Sequence, residues 1–476
     1  MGCDNLVQRK IKELGSQWNA LSHIAKEYST QVLGLKLGSE LVVVVYGRRN
    51  IRRVLTEKEF DGRPDNFFVR LRCFGKRMGI TFADGDLWNE HRKFTLKHLK
   101  NSGLGTTSMQ KEIQREMLNI VRSIKENGPG VSSTTIFAPS VMNVLWKFTA
   151  AYSRSKQAGE SLENRWSLSP MDTRNSVTQG ETIPEQRLDS FLKLMSARSK
   201  AFNMAGGWLN RWPWLRFIFP ESTGYSLIIK LNEELRNIIE VILFCEYAIK
   251  RTLPPLGRGL HGLFTNPGLA SPQVILRAVY RLSDNLPCLF REEQLILICL
   301  DLLIAGSQTT SKVLEFAILT VLRNKSIQEK IIEEIDTTIG DEMPCWTHRH
   351  KLIYTSAFLL EVQRYYTIVP LIGPRRVLSD TEIDGFSIPK DSTVLVSIGD
   401  LHFDIELWDN PNEFKPERFI DENGKLIIPE YMLHFGLGVS FIKRLLDLKE
   451  VREICQPNGV GSFAEFLLVI RNRPDA

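Results

Sequence analysis

The chain lacks most features that would mark a specialised protein class. Its seven cysteines (Cys3, Cys73, Cys245, Cys288, Cys299, Cys345, Cys455) show no paired spacing in 476 residues. That excludes a zinc ribbon or disulfide framework, so a metal site is not expected from cysteine spacing, and it suits a reducing compartment. There is no large charge imbalance: 61 Lys and Arg against 55 Asp and Glu leave +6. This is too little to argue for nucleic acid, and it fits one basic face toward an acidic partner or a membrane surface. No apolar run reaches the ~20 residues that span a bilayer. Residues 41–46 and 294–305 read instead as a buried strand and a core helix. The opening Met1-Gly2-Cys3-Asp4-Asn5-Leu6 has no basic n-region followed by an apolar core, and position 6 is not Ser or Thr. Neither a signal peptide nor myristoylation is expected, and a chain without an N-terminal anchor would be cytoplasmic or loosely membrane-associated. No internal repeat recurs, which removes solenoids and propellers.

What is there is ordinary globular composition, 43% apolar and 24% charged. Apolar periodicity predicts helices over 17–28, 51–59, 86–99, 108–126, 140–151, 187–205, 224–243, 292–322, 326–339 and 356–366. A hairpin is expected over 32–45 and a strand-rich stretch over 373–396, with turns at Asp384-Gly385 and Pro389-Lys390-Asp391. Residues 155–185 are polar and non-periodic and read as a flexible insertion. The fold class is mainly α with small β subdomains, in a single domain over 1–476.

Four segments carry chemistry. Ala305-Gly306-Ser307-Gln308-Thr309-Thr310 interrupts an apolar helix, where a glycine costs about 1 kcal/mol. A small-residue pair there admits a flat ligand, or another helix, close to the backbone, and the Thr309 hydroxyl can return to the Ala305 carbonyl. Trp88 and Arg92 lie one turn apart and make a donor pair for a carboxylate. Glu361 and Arg364 stand three apart on one helical face, ordinarily a solvated surface pair. Pro416-Glu417-Arg418-Phe419 would ordinarily be a turn.

In this order and spacing the four together resemble the cytochrome P450 monooxygenases, in particular microsomal-type arthropod members that include hormone-synthesising epoxidases and hydroxylases. Gly385-Phe386-Ser387-Ile388-Pro389-Lys390 and residues 409–414 add to the likeness. The resemblance implies a haem iron cofactor, a single P450-fold domain and insertion of one oxygen atom into an apolar, lipid- or hormone-like small molecule. It implies NADPH-cytochrome P450 reductase as partner, met by Arg92, Lys93, Lys97 and Lys100, and the endoplasmic reticulum membrane as location. Trp88, Arg92 and Arg375 would hold the haem propionates. Ala305, Gly306 and Thr309 would line the oxygen groove, with Thr309 assisting proton delivery. Ile368, Val369 and Leu371 would face the substrate, and Glu361, Arg364 and Arg418 would form a structural charge network. Gln308 departs from the acidic residue usual before that threonine.

The haem loop departs further. Phe435 and Gly438 match its start, yet the ligand position, four residues past Gly438, holds Ile442, and Arg444 stands where a glycine is usual. The axial cysteine is therefore missing: a haem ligated by His434 would bind without performing the same chemistry, Cys455 lacks the expected context, and the chain as written is expected to be inactive. Residues 242–290 and 439–476 lose the resemblance abruptly and read as aberrant segments, as wrongly joined exons would produce. The alternative is a P450-like protein that binds an apolar ligand or partner without activating oxygen.

Overall fold

A computed structural model describes residues 3–37, 40–101, 103–127, 133–150, 185–201, 209, 212–251 and 292–434. The expected insertion up to residue 184, residues 252–290 of the segment 242–290, and Phe435, Gly438 and the stretch 439–476 lie outside the described residues; residues 242–251 of that segment continue a helix.

The N-terminal part opens with α1 (Cys3–Leu14) and α2 (Gln17–Glu27), the second started by the Ser16 hydroxyl accepting from Asn19 N. Strands β1 (Val32–Leu37) and β2 (Glu40–Val45) form the expected hairpin, followed by α3 (Arg48–Thr56) and α4 (Phe67–Arg72). The helical body comprises α5 (Gly85–Asn101), α6 (Thr107–Asn127), α7 (Ser133–Ala150), α8 (Glu185–Ala201), α9 (Leu215–Ile218) and α10 (Tyr225–Arg251). It continues with α11 (Glu292–Arg323), α12 (Lys325–Thr338) and α13 (Ile353–Tyr366). Then come β3 (Leu371–Arg376), β4 (Thr381–Ile383), β5 (Phe386–Ile388), β6 (Thr393–Ser397) and α14 (Ile398–His402).

The strands at the two ends of the helical set meet in one sheet of order β1-β2-β6-β3, with β2 parallel to β6 and the other pairs antiparallel; β4 and β5 form a separate hairpin. Alternation along β2 and β6 sends Val43, Val45, Val394 and Val396 into one cluster, and Val42, Val44 and Leu395 into another against α2. The N-terminal helices are tied down by Asp400 on α14, which accepts from the Trp18 indole (2.8 Å), the Ser397 hydroxyl (2.6 Å) and the Ser22 hydroxyl.

Helix α11 is the axis of the body. It packs against α7 and α10 on one side, through Met142, Trp146, Leu235, Leu300 and Leu303, and against α12 and α13 on the other, through Leu314, Ile318, Ile335 and Phe358. Its length and apolarity pass a composition test for membrane crossing, but a helix clad on both flanks is apolar because it is core.

Candidate functional site: the central helix and its charge network

On α11 the Thr309 Oγ1 donates to the Ala305 carbonyl at 2.7 Å, and both residues are half-buried on a helix whose neighbours Leu303 and Ser307 are buried. Ser307 and Ser311 make the same return bond, to Leu303 O (2.6 Å) and Ser307 O (2.7 Å), so one stretch of helix carries three hydroxyls bonded to its own backbone. Gly306 abuts α7. A Cβ on it would meet Leu145 Cδ1 of α7 at 2.7 Å, so its smallness serves the approach of α7. Gly306→Val is expected to destabilise by about 1–3 kcal/mol in urea unfolding, as overpacking does, and Leu145→Ala in the same chain should recover part of that loss.

Trp88 and Arg92 lie on α5 with the guanidinium over the indole, 5.7 Å from the ring centroid, and the indole N–H donates to the Ile80 carbonyl at 3.1 Å. Arg375 on β3 is buried, and its Nη1 donates to Val54 O (3.1 Å) and Phe60 O (3.3 Å) and lies 3.5 Å from Asp61. The two elements join at Asp84, the residue before α5. Its carboxylate accepts from Arg63 N (2.8 Å) and Arg376 Nη2 (3.2 Å) and pairs with Arg77 Nη2 (2.6 Å). Burial raises the Asp84 pKa, but the Arg63 amide and the Arg77 and Arg376 guanidiniums outweigh it and hold the carboxyl below its ordinary value. Sequence reading missed Arg63 and Asp84. Single charged residues in loops carry no periodic signal, and only the pairing of Gly62 with Arg376 places them here.

Glu361 and Arg364 are not a surface pair. Both are fully buried on α13, joined by Nε–Oε2 (2.7 Å) and Nη2–Oε1 (2.8 Å) bonds. Arg364 Nη1 also donates to His402 O (2.8 Å), and Glu361 Oε1 accepts from Lys415 N (2.8 Å) and Arg418 Nε (3.2 Å). Arg418 in turn donates to Asp409 O (2.7 Å) and Glu413 O (3.0 Å). One carboxylate thus organises two guanidiniums and a loop, which explains why residues 416–419 form a short 3₁₀ turn rather than a free loop.

Behind this network lies a chain of neutral bonds. Leu433 N donates to His402 Nε2 (3.3 Å), and His402 Nδ1 lies 3.0 Å from Thr367 Oγ1, which donates to Arg364 O. Burial, with His434 and the Arg364 charge nearby, lowers the His402 pKa to about 3, and burial lowers that of His434 to about 3. Both folded values lie below the ordinary 6.5, so below that pH the unfolded chain binds protons that the folded chain does not. Stability should therefore fall as pH drops from about 6.5 toward 3. Urea midpoints at pH 7 and pH 5 will show the decline, with a shallower slope in His402→Gln.

Of the residues expected near a substrate, Ile368 is half-buried, Val369 is exposed, and Leu371 packs on the sheet face carrying Val42, Val44 and Leu395. That face borders a shallow, open groove of about 50 Å³ lined by Leu21, Val42, Val69, Phe82 and Leu395, with Glu40 and Arg72 at its polar edge. Asn66 donates to Glu40 (3.1 Å), and the Arg72 guanidinium stacks 4.8 Å from the Phe82 ring.

Comparison with known proteins agrees with this arrangement. The cytochrome P450 family pattern matches residues 5–440. A probable cytochrome P450 305a1 of Drosophila melanogaster is 34% identical over 441 residues, 90% of this chain and 80% of the relative. A farnesoate epoxidase of Bombyx mori is 31% identical over 413 residues, 86% and 74% respectively. A cytochrome P450 2L1 of Panulirus argus is 26% identical over 437 residues, 90% and 80%. The family implies haem iron as cofactor, a redox partner and monooxygenase chemistry. With its helical axis, its buried glutamate–arginine network and a match over nearly its whole length, the chain belongs to the cytochrome P450 family.

Proposed function

We propose that this scaffold is that of a monooxygenase for an apolar, isoprenoid-like small molecule, and that the chain as it stands does not carry out the reaction. The observation that carries the second half is Ile442, a hydrocarbon at the position where the family's loop supplies its thiolate. In the family the haem supplies oxygen activation, with the cysteine thiolate pushing electron density toward O–O cleavage.

The residues fit that group on one side only. Arg92 and the buried Arg375 bring two guanidiniums suited to propionates, while the indole N–H of Trp88, the third expected donor, is taken by the Ile80 carbonyl. Ile442, four residues past Gly438 where the family's loop would supply the sulfur, has no lone pair to offer a metal. What the chain's own residues would do is clear from their chemistry. The half-buried Ala305 and Thr309 present an apolar stripe with a hydroxyl that is held against the helix, and Gln308 can orient water without donating an acid proton. Glu361, Arg364 and Arg418 support the fold and touch no substrate.

The isoprenoid class is suggested by the farnesoate epoxidase kinship. Exposed Lys93, Lys97 and Lys100 on α5 offer a basic face to an acidic reductase, and microsomal kinship suggests the endoplasmic reticulum membrane. A second reading, ligand binding without turnover, is favoured by Ile442, which takes away the thiolate and leaves the rest of the scaffold in place. Incubation with reductase, NADPH and farnesoate is expected to give no epoxide above a reductase-only control. Product formation would overturn the proposed inactivity, and failure to retain farnesoate in equilibrium dialysis would overturn the binding reading.

A further inference from the structure

Helix α14 is five residues long, too short to hold itself together, and it is gripped from two directions. On one side stands α2. Gly399 leaves room for Trp18, since a Cβ there would lie 2.5 Å from the indole Cε2. Asp400 Oδ2 accepts from the Trp18 indole (2.8 Å) and the Ser397 hydroxyl (2.6 Å), and its Oδ1 accepts from the buried hydroxyl of Ser22. The Trp18 ring also lies tilted against Phe403, with centroids 6.2 Å apart.

On the other side stands the charge network. His402 O accepts from Arg364 Nη1 (2.8 Å), His402 Nδ1 lies 3.0 Å from Thr367 Oγ1, and His402 Nε2 accepts from Leu433 N (3.3 Å). The Trp408 indole donates to Leu401 O (3.0 Å), and the Arg364 guanidinium lies 5.6 Å from the Phe403 ring centroid. Asp400 and His402 are two apart on a helix, so their side chains serve different neighbours. Phe403, the next residue, touches both.

We infer that α14 is a mechanical relay. The N-terminal helices are a strap whose seating, through Trp18 and Asp400, sets the position of His402 and with it that of Leu433. Asp400 is satisfied by three neutral donors, two of them on α2. When α2 lifts, the carboxylate loses both, and Gly399 loses the ring packed on it. So short a helix has too few backbone bonds of its own to keep its place without those contacts. His402, held at its carbonyl and at both ring nitrogens, moves with it and carries the shift to three partners at once. Among them Leu433 leads the chain toward Phe435 and Gly438. The coupling runs both ways, as linkage requires: what fixes His402 also holds α2. The relay stands on this packing and does not depend on the reaction proposed above.

Hydrogen exchange on the full chain tests it. Trp18→Phe keeps a ring over Gly399 and removes the N–H that Asp400 accepts; Ser22→Ala removes the second donor. With both changes, the amides of α2 and of residues 431–433 should exchange roughly tenfold faster, as loss of bonds to a charged acceptor implies, while α12 keeps its rate. His402→Gln, which leaves α2 untouched, should in turn speed exchange in α2. Faster exchange in α2 with residues 431–433 unchanged overturns the relay and leaves Asp400 a local tether. Acceleration of every helix together overturns it too, because the effect is then a general loss of stability. Urea unfolding gives an independent reading. The losses in Trp18→Phe and His402→Gln should combine to less than their sum, and strict additivity overturns the coupling.

Discussion

Supplied with haem and reduced under carbon monoxide, the full chain is expected to show no red-shifted thiolate band. The band reports an anionic sulfur on iron, and its electronic push has no counterpart in a neutral imidazole or a hydrocarbon side chain. The proposed reading puts Ile442, four residues past Gly438, where the sulfur would stand. His434, the nearest nitrogen base in sequence, would give a histidine-type spectrum with different chemistry. The rival is Cys455, 17 residues past Gly438, so the parent chain is compared with Cys455→Ser. Identical spectra without the thiolate band are the expected result. A thiolate band that vanishes in Cys455→Ser would show that a distant sulfur reaches the iron, and the proposed inactivity would fall with it. The same thiolate governs turnover, so the expected effect on monooxygenase activity is complete loss.

Glu361→Gln is expected to be the most destabilising single substitution among the site residues, by about 3–5 kcal/mol, the range for breaking a buried ion pair by removing one partner. The reason is asymmetry. Glu361 neutralises Arg364, fully buried beside it, and also meets Arg418, 7% exposed. Removing its charge leaves two desolvated guanidiniums facing an amide. Lys325 and Glu329 provide the internal control: they are exposed, 3.8 Å apart, and such a pair contributes about 0–1 kcal/mol. Urea unfolding of Glu361→Gln beside Glu329→Gln measures the difference directly. Equal shifts would mean that the α13 network is no stronger than a surface pair.

Much of this was legible in the sequence where periodicity or motif order carried it. The α11 and α12 boundaries, the β1–β2 hairpin and the Thr309 return bond follow from local pattern alone. Misreadings fall where tertiary partners decide. The helix expected over 140–151 starts earlier: α7 runs from Ser133 through Pro139. The α13 terminus begins earlier than its own residues suggest, because Glu334 of α12 accepts from Tyr354 N (2.6 Å) and Thr355 N (2.8 Å) and caps it from outside. Gly306 taken alone reads more readily as helix approach than as ligand approach, and the position of Leu145 identifies the helix. Asp400 was hidden for a related reason. A lone acid beside a strand has no visible partner until α2 is folded against it.

The parallel pairing of β2 with β6 has a consequence for how the chain is made. Val42–Val45 pairs with Thr393–Val396, so one side of the N-terminal hairpin waits for a partner 351 residues later. At translation speeds of about 5–20 residues per second that wait lasts roughly 20–70 s. Throughout it, a run of four valines presents open backbone donors and acceptors, the kind of edge that pairs with whatever strand arrives first. Slow translation or a shortage of chaperone capacity should therefore lower the soluble yield of this protein, and the nascent segment that chaperones must shield is residues 40–45.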